Sequence, residues 1–158
     1  MREETDVQKK YEFTGETSNN IAGGATLHRI RAVRDFGNVK AGDLGGWVES
    51  ENNLSHEGKC WVYDESAIFG RGLVCNNAKV KNESMIYDSA CVDSGALIDN
   101  SEVFGSAQVS GFAQVARGSL VYQRAFIAGS AKVFNAEIGA HIAMLDGFIT
   151  GAQILIRR

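Results

Sequence analysis

The sequence predicts an all-β solenoid, and three features of the chain lead to this prediction. Aliphatic residues recur at every sixth position from Val62 onward. The residue two positions before each of these aliphatic residues is small. The chain also has 18 glycines and no proline, a composition typical of short strands separated by tight corners.

Length and charge limit the classes of protein to consider. The chain has 158 residues, of which 44% are apolar and 22% charged, enough for one domain with its own core. Sixteen basic and 19 acidic residues give a net charge of −3, which argues against a general nucleic-acid binder. No run of about 18 apolar residues occurs and the first ten residues are charged, so we expect neither a membrane span nor a secretory signal. We therefore expect a cytoplasmic protein.

The repeat constrains two positions in each hexapeptide. The aliphatic positions are Val62, Ile68, Val74, Val80, Ile86, Val92, Ile98, Val103, Val109, Val115, Val121, Ile127, Val133, Ile138, Ile149 and Ile154. The small positions are Cys60, Ser66, Gly72, Ala78, Ser84, Ala90, Ala96, Ser101, Ala107, Ala113, Ser119, Ala125, Ala131, Ala136, Gly147 and Ala152. Residues two apart share one side of a strand, so we expect each large and small pair to fill a narrow interior together.

Residues that tolerate a sharp turn follow most of the aliphatic residues by two positions. They are Asp64, Gly70, Asn76, Asn82, Asp88, Ser94, Asn100, Gly105, Gly111, Gly129 and Asn135, and we assign them to corners. Between Val62 and Ile138 two steps, Ile98 to Val103 and Val133 to Ile138, have five residues instead of six. Between Ile138 and Ile149 two registers remain open: Met144 points inward with Ile142 in the small position, or Ile142 points inward after Ala140.

The first 36 residues do not follow the period. We assign residues 1–36 to an N-terminal β cap and residues 37–158 to the β-helix, together forming a single domain. Tyr11 to Gly15 and Thr26 to Val33 are predicted strands, with Asn19 to Gly24 as the turn between them. A cap is needed because the open edge of a solenoid invites aggregation.

Part of the chain resembles a known family. The motifs VKAGDLGGWV and CWVYDESA, within Ile30 to Ala67, resemble the YdcK-like hexapeptide-repeat proteins of bacteria and their phages. The resemblance implies a left-handed parallel β-helix in which three hexapeptides make one triangular coil, with about five or more coils here. It also implies an acyltransferase-like protein, although that label rests on fold analogy. The short chain is similar to the small phage forms.

The enzymatic interpretation needs a histidine base. Hexapeptide-repeat acyltransferases resemble one another in their catalytic arrangement. A histidine on a loop that projects from a coil acts as the general base, and coenzyme A binds between the subunits of a trimer. His141 and His56 are the weak catalytic candidates. The register from Val62 to Ile138 has no insertion that would form such a loop. We therefore favour a protein without catalytic activity or cofactor, and acetyl-CoA enters only under the alternative.

The cysteines and histidines do not predict a metal site. Cys60, Cys75 and Cys91 form no C-x-x-C pair, which also argues against a disulfide framework. A zinc site of three histidines would need every histidine of the chain, and His28 belongs to the cap. We therefore expect no bound metal ion.

Outward residues of every third hexapeptide predict a binding surface. Phe69, Tyr87, Phe104 and Tyr122 should stack on one face, with Met85 and Leu120 beside them. Apolar surface of this kind is typical of an interface. The other two faces are more polar, and one of them carries Cys75, Asp93, Ser110 and Ala128. Arg29, Arg31 and Arg34 near the cap are candidates for an anion contact.

These observations favour a non-catalytic β-solenoid that self-associates and binds a protein partner or ligand. We expect a homo-oligomer, a dimer or trimer, with no nucleic-acid or membrane partner. The resemblance to phage forms suggests a phage-borne accessory protein acting on a host protein or defence signal in the bacterial cytoplasm. The alternative is a coenzyme A-dependent hexapeptide-repeat acyltransferase.

Overall fold

Three parallel sheets make up most of the computed structural model, which describes residues 8–151 and 154–155. The described chain begins with strands β1 (Tyr11–Ala22), β2 (Ala25–Ala32) and β3 (Leu44–Val48). A single turn of 3-10 helix, Glu51–Asn53, follows β3. Within these described residues no helix has the length and apolar character needed to cross a bilayer.

Seventeen short strands follow the 3-10 turn. They are β4 (Trp61–Val62), β5 (Ala67–Ile68), β6 (Leu73–Val74), β7 (Lys79–Lys81), β8 (Met85–Ile86), β9 (Cys91–Val92), β10 (Leu97–Asp99), β11 (Glu102–Val103), β12 (Gln108–Val109), β13 (Gln114–Ala116), β14 (Leu120–Val121), β15 (Phe126–Ile127), β16 (Lys132–Phe134), β17 (Glu137–Ile138), β18 (Ala143–Met144), β19 (Phe148–Ile149) and β20 (Ile154–Leu155). Two or three residues per strand suffice because each strand makes only one side of a coil.

Every third strand belongs to the same sheet, so the coil is three-sided. We name the sides by their outward features: the cleft face (β4, β7, β10, β13, β16, β19), the aromatic face (β5, β8, β11, β14, β17, β20) and the thiol face (β6, β9, β12, β15, β18). Parallel pairing sets aliphatic residues of successive coils opposite one another, as in Val80, Ile98 and Val115. The prediction of a hexapeptide-repeat parallel β-helix is confirmed.

Paired large and small side chains fill the interior. The predicted aliphatic positions from Val62 to Ile138 are all fully buried, and so are the small positions from Cys60 to Ala136. Each inward Val or Ile contributes about 1.5–3 kcal/mol of burial. The small partner leaves room for that branched side chain, so the narrow interior is filled without large voids.

The predicted corners adopt the backbone conformation that their residue types tolerate. All eleven predicted corner residues have φ between +50° and +67°. Glycine adopts this left-handed region without strain, and Asn and Asp tolerate it better than other side chains. The same left-handed φ occurs at Arg117, Gln123 and Ala140, so the residue type favours these corners but does not alone determine them.

The hairpin cap is longer than the sequence predicts, and its turn is tighter. Only Gly23 and Gly24 lie in the turn, with φ of +62° and +104°. Two consecutive glycines with positive φ are typical of a two-residue hairpin turn, which lets both strands continue to it. Strand β2 pairs antiparallel with β3, and β3 pairs in parallel with β5. The hairpin thus extends the aromatic-face sheet and covers its first edge.

Backbone pairing decides the register at the far end. Met144 lies opposite Ile127, and the partly buried Ile142 takes the small position. The predicted place of Ile154 is wrong by one residue, because β20 pairs Leu155 with Ile138. The step from Ile149 is therefore a full six residues rather than five. The predicted small position Ala152 lies outside the described residues.

Candidate functional site

Four aromatic rings form one column on the aromatic face. Phe69, Tyr87, Phe104 and Tyr122 each follow the inward aliphatic residue of successive coils. Neighbouring ring centroids lie 4.9, 5.0 and 5.2 Å apart, with interplanar angles of 2°, 2° and 6°. This spacing is close to the separation of adjacent strands, so each coil supplies one ring to a parallel stack.

The column presents ring edges rather than ring faces. Each of the four rings is half-buried, because its neighbours cover its two faces. At the cap end, Phe69 packs against the cluster of Leu27, Trp47 and Ala67. At the other end the Tyr122 ring lies against Gly139. A Cβ atom at position 139 would lie only 2.9 Å from Cε2 of Tyr122, so the ring packs closely on the glycine backbone. The predicted apolar surface is therefore a narrow ridge of ring edges, which we call the aromatic ridge.

Side chains beside the ridge give it a mixed character. Met85 and Leu120 lie half-buried next to the rings, as the sequence predicts. The Tyr87 hydroxyl donates a hydrogen bond to Glu102 across 2.9 Å, and the Tyr122 hydroxyl donates to Glu137 across 3.2 Å. Burial, and then the neighbouring carboxylate, raises the pKa of both phenols. Both tyrosines therefore keep their protons well into the alkaline range.

His56, a catalytic candidate of the sequence, is a structural clasp. Its Nδ1 accepts a hydrogen bond from the Lys10 backbone N–H across 3.0 Å, so the ring proton lies on Nε2. Nε2 donates to Glu51 across 2.7 Å, and this hydrogen bond lowers the pKa of the Glu51 carboxyl. The ring stacks on Tyr11 with a centroid distance of 4.1 Å. Both ring nitrogens of His56 are thus engaged by partners within the chain.

The other histidines do not join His56. His141 is exposed at a corner directly after Ala140, and its side chain makes no hydrogen bond to any residue that the structure describes. It lies near β18, about five coils from His56 along the axis. His28 stacks on Phe13 in the hairpin at a centroid distance of 4.4 Å. The fold therefore does not assemble a histidine centre from these three residues.

The three arginines near the cap have partners within the chain. Arg29 forms an ion pair with Glu65 at 3.0 Å, and Arg31 pairs with Glu12 at 2.6 Å. Arg34 donates a hydrogen bond to the backbone oxygen of His56 across 3.3 Å. Each guanidinium thus stabilises a different junction of the cap. An anion contact at these residues stays a prediction, and these internal partners weaken it.

A cleft of about 690 Å³, which the sequence analysis did not identify, opens on the cleft face. It forms where the corner at Asn100 is one residue shorter than the corners above and below it, which carry Asn82–Glu83 and Arg117–Gly118. Its lining includes four carboxylates and one guanidinium, contributed by Asp64, Glu65, Glu83, Asp99 and Arg117. The five-residue step from Ile98 to Val103 was the available signal for this notch.

Two thiols and a carboxylate meet on the thiol face, where the sequence had placed Cys75 and Asp93 but not Cys91. The donor atoms of Cys75, Cys91 and Asp93 all lie within 4.8 Å of one another. Cys91 and Asp93 flank the inward Val92, and Cys75 follows Val74 in the coil before. The sequence signal was their spacing of 16 and 18 residues, close to one full coil.

These features define the protein as a hexapeptide-repeat β-solenoid whose candidate sites are built from outward strand residues. A protein of Escherichia coli (strain K12) named uncharacterized acetyltransferase YdcK is 40% identical to the chain over 62 residues. The match covers 39% of this chain and 19% of that protein. No protein-family model matches the chain. The resemblance to YdcK-like hexapeptide-repeat proteins is thus confirmed in sequence and in fold.

Proposed function

We propose that the protein is a non-catalytic β-solenoid that forms a homodimer through its aromatic ridge. The observation that supports this most directly is the unbroken stack of Phe69, Tyr87, Phe104 and Tyr122 on a rigid sheet. A regular row of ring edges is complementary to a second copy of itself. Aromatic residues are also enriched in the cores of protein interfaces.

The strand spacing and the surroundings of the two candidate histidines support the same proposal. The strands from β4 to β17 follow one another through short corners, with no inserted loop between them. His56 has both ring nitrogens occupied, and His141 stands alone at an exposed corner. A general base must reach its substrate and be held in place by a partner, and neither histidine meets both conditions.

Charge favours one arrangement of the two copies. Glu102 and Glu137 lie on one side of the ridge, whereas Arg71 and Arg124 lie at the corner on its other side. A two-fold axis parallel to the coil axis would set the side of each copy that carries Glu102 and Glu137 against the partner's corner that carries Arg71 and Arg124. A perpendicular two-fold axis in the plane of the interface would set the two sides that carry Glu102 and Glu137 against each other, which is unfavourable. We therefore propose a side-by-side dimer with parallel coil axes.

Light scattering of the purified protein tests the dimer. We expect the wild type at twice its chain mass of 17.1 kDa, and the double variant Tyr87→Glu, Phe104→Glu at the mass of one chain. Phe126→Glu is the matched control, because Phe126 is an outward aromatic residue on the thiol face. Circular dichroism should show the β-solenoid in all three proteins. A monomeric wild type, or an unchanged mass of a folded double variant, would contradict the proposal.

A coenzyme A-dependent acyltransferase is the second candidate function. The observation in its favour is the name of the E. coli relative, which calls that protein an acetyltransferase. Titration calorimetry with acetyl-CoA separates the two functions. If the wild type binds acetyl-CoA and His141→Ala weakens that binding, the acyltransferase is favoured. If acetyl-CoA gives no heat of binding at concentrations up to about 1 mM, an acyltransferase that uses acetyl-CoA at cellular concentrations is excluded.

The proposed setting is the cytoplasm of a bacterial host. All three cysteines are free thiols, which accords with a reducing compartment. The resemblance to small phage forms supports a phage-borne accessory role against a host protein or defence signal. Plating phage on host cells that express the wild type or the double variant tests this role. An effect of the wild type that the double variant loses would support it, and equal plaque counts in both strains would oppose it.

A further inference from the structure

The thiol face carries a group of metal-ligating atoms that the dimer proposal does not use. Cys75, Cys91 and Asp93 place two sulfurs and a carboxylate oxygen within 4.8 Å of one another, and all three side chains are half-buried. The strands that hold them are fixed by ladder hydrogen bonds. Cys75 N–H donates to Val92 O across 3.1 Å, and Asp93 N–H donates to Val109 O across 2.9 Å. The cluster is therefore set on a rigid part of the molecule.

The distances suit a tetrahedral site. Sulfur ligands at about 2.3 Å from zinc stand roughly 3.8 Å apart in a tetrahedron. Side-chain rotations that move each donor atom by less than about 1 Å would close the observed triangle to that size. Thiolates select soft ions such as zinc over calcium or magnesium. Two sulfurs and one oxygen leave a fourth position for water.

A supporting hydrogen bond orients the carboxylate. Ser94 Oγ donates to Asp93 Oδ1 across 3.2 Å, and Ser94 is in turn 3.3 Å from the Ser110 hydroxyl. Because one carboxylate oxygen is held by Ser94, the other is available as a ligand. Polar partners behind the ligands are common in metal sites, where they fix ligand orientation.

We propose that Cys75, Cys91 and Asp93 form a binding site for a thiophilic divalent cation, with zinc as the expected ion. The ion would lie on the thiol face, away from the aromatic ridge, so its binding and the dimer can be tested separately.

Thiols bind a metal ion as thiolates, so each thiol loses its proton when the ion binds. Binding should therefore release about two protons per ion and tighten as the pH rises.

Cobalt titration of the reduced full-length protein tests the site, because Co²⁺ reports thiolate ligation by a charge-transfer band. We expect a band that saturates at one ion per chain and is bleached by Zn²⁺. Cys75→Ser and Cys91→Ser should each weaken binding more than about 100-fold, and Asp93→Asn about tenfold or more. The serine variants change only one atom, so the solenoid should keep its circular dichroism spectrum.

Asp99→Asn is the matched control, because Asp99 follows the aliphatic Ile98 on the cleft face as Asp93 follows Val92 on the thiol face. It should bind cobalt as the wild type does, and so should Cys60→Ser. No charge-transfer band at about 1 mM Co²⁺, or a band that survives Cys75→Ser, would overturn the proposal. The proposal would also be overturned if Cys75 and Cys91 formed a disulfide on oxidation but the reduced protein bound no cobalt.

Discussion

The backbone N–H of Ser101 donates a hydrogen bond to the hydroxyl of Ser84 in the coil before it, across 3.0 Å. The same bond joins Ser84 to Ser66 at 3.0 Å and Ser119 to Ser101 at 3.1 Å. These serines occupy the small position at the corner between the cleft face and the aromatic face. At that corner the backbone N–H groups donate to a hydroxyl rather than to a carbonyl. Serine therefore supplies a hydrogen-bond acceptor there as well as a small inward side chain.

Replacing Ser84 by alanine should therefore destabilise the solenoid. The variant leaves the buried Ser101 N–H without its acceptor and the Lys81 carbonyl without the hydroxyl that bonds it at 2.7 Å. An unsatisfied buried group costs about 1–3 kcal/mol, which urea unfolding would measure. Ser106→Ala, at an exposed corner, is the control and should change stability little. Equal unfolding midpoints for both variants would show that the ladder contributes nothing.

Enlarging a small inward residue tests the packing of the interior. Ala107 is fully buried beside Val109, so Ala107→Leu should overpack the coil and cost about 1–3 kcal/mol or more of unfolding free energy. Gln108→Leu adds a leucine at the adjacent outward position and should have a far smaller effect. Denaturation midpoints of the two variants give the comparison. A shift for Gln108→Leu as large as that for Ala107→Leu would argue against the narrow filled interior.

The His56 clasp should stabilise the cap rather than support a reaction. His56→Ala removes the acceptor of the Lys10 N–H, the donor to Glu51 and the ring stacked on Tyr11. We expect faster hydrogen exchange in β1, with little change in β10 to β14, because each coil contacts mainly its neighbours. His141→Ala is the control and should leave β1 unchanged. Unaltered exchange in β1 of the His56 variant would refute the clasp.

Alkaline pH should weaken the folded state through the buried phenols. Burial and Glu102 raise the pKa of Tyr87 above its ordinary value of 10.0. Above that value the unfolded chain releases this proton while the folded chain still holds it, so the free energy of unfolding falls as the pH rises. Tyr87→Phe keeps the stacked ring and removes the titration. Between about pH 8 and about pH 11 it should lose less stability in urea than the wild type. The opposite order would contradict the assigned shift.

Most of the fold was predictable because its information is local and repeated. The pair of Val109 and Ala107 faces inward, as the period requires, and the corner at Gly111 has the left-handed φ that its residue type permits. The last coil was misplaced because hydrophobicity alone does not distinguish Ile154 from Leu155. Backbone pairing with Ile138 made that choice. The predicted turn, Asn19 to Gly24, included too many residues, because the polar residues before Gly23 are typical of a loop.

The candidate sites were only partly predictable. The ring column followed from the period, since every third hexapeptide returns to the same face. The roles of the histidines did not follow, because the partner that fixes the tautomer of His56 is Lys10, 46 residues away. The cluster of Cys75, Cys91 and Asp93 was predicted only in part: the period placed Cys75 and Asp93 on one face, but Cys91 was not set beside them, because motif spacing for metal sites is usually sought within one turn rather than across a full coil.

The sequence by itself determined the solenoid repeat and its filled interior, and the resemblance to hexapeptide-repeat proteins supplied the three-sided coil and with it the face on which the rings stand. A six-residue repeat leaves little freedom once each branched residue must be buried beside a small one. Only the tertiary structure decided which polar groups meet, because those contacts join neighbouring coils or the cap to the first coil. The orientation of His56, the notch beside Asn100 and the two thiols beside Asp93 arise from such contacts, which a periodic pattern does not encode.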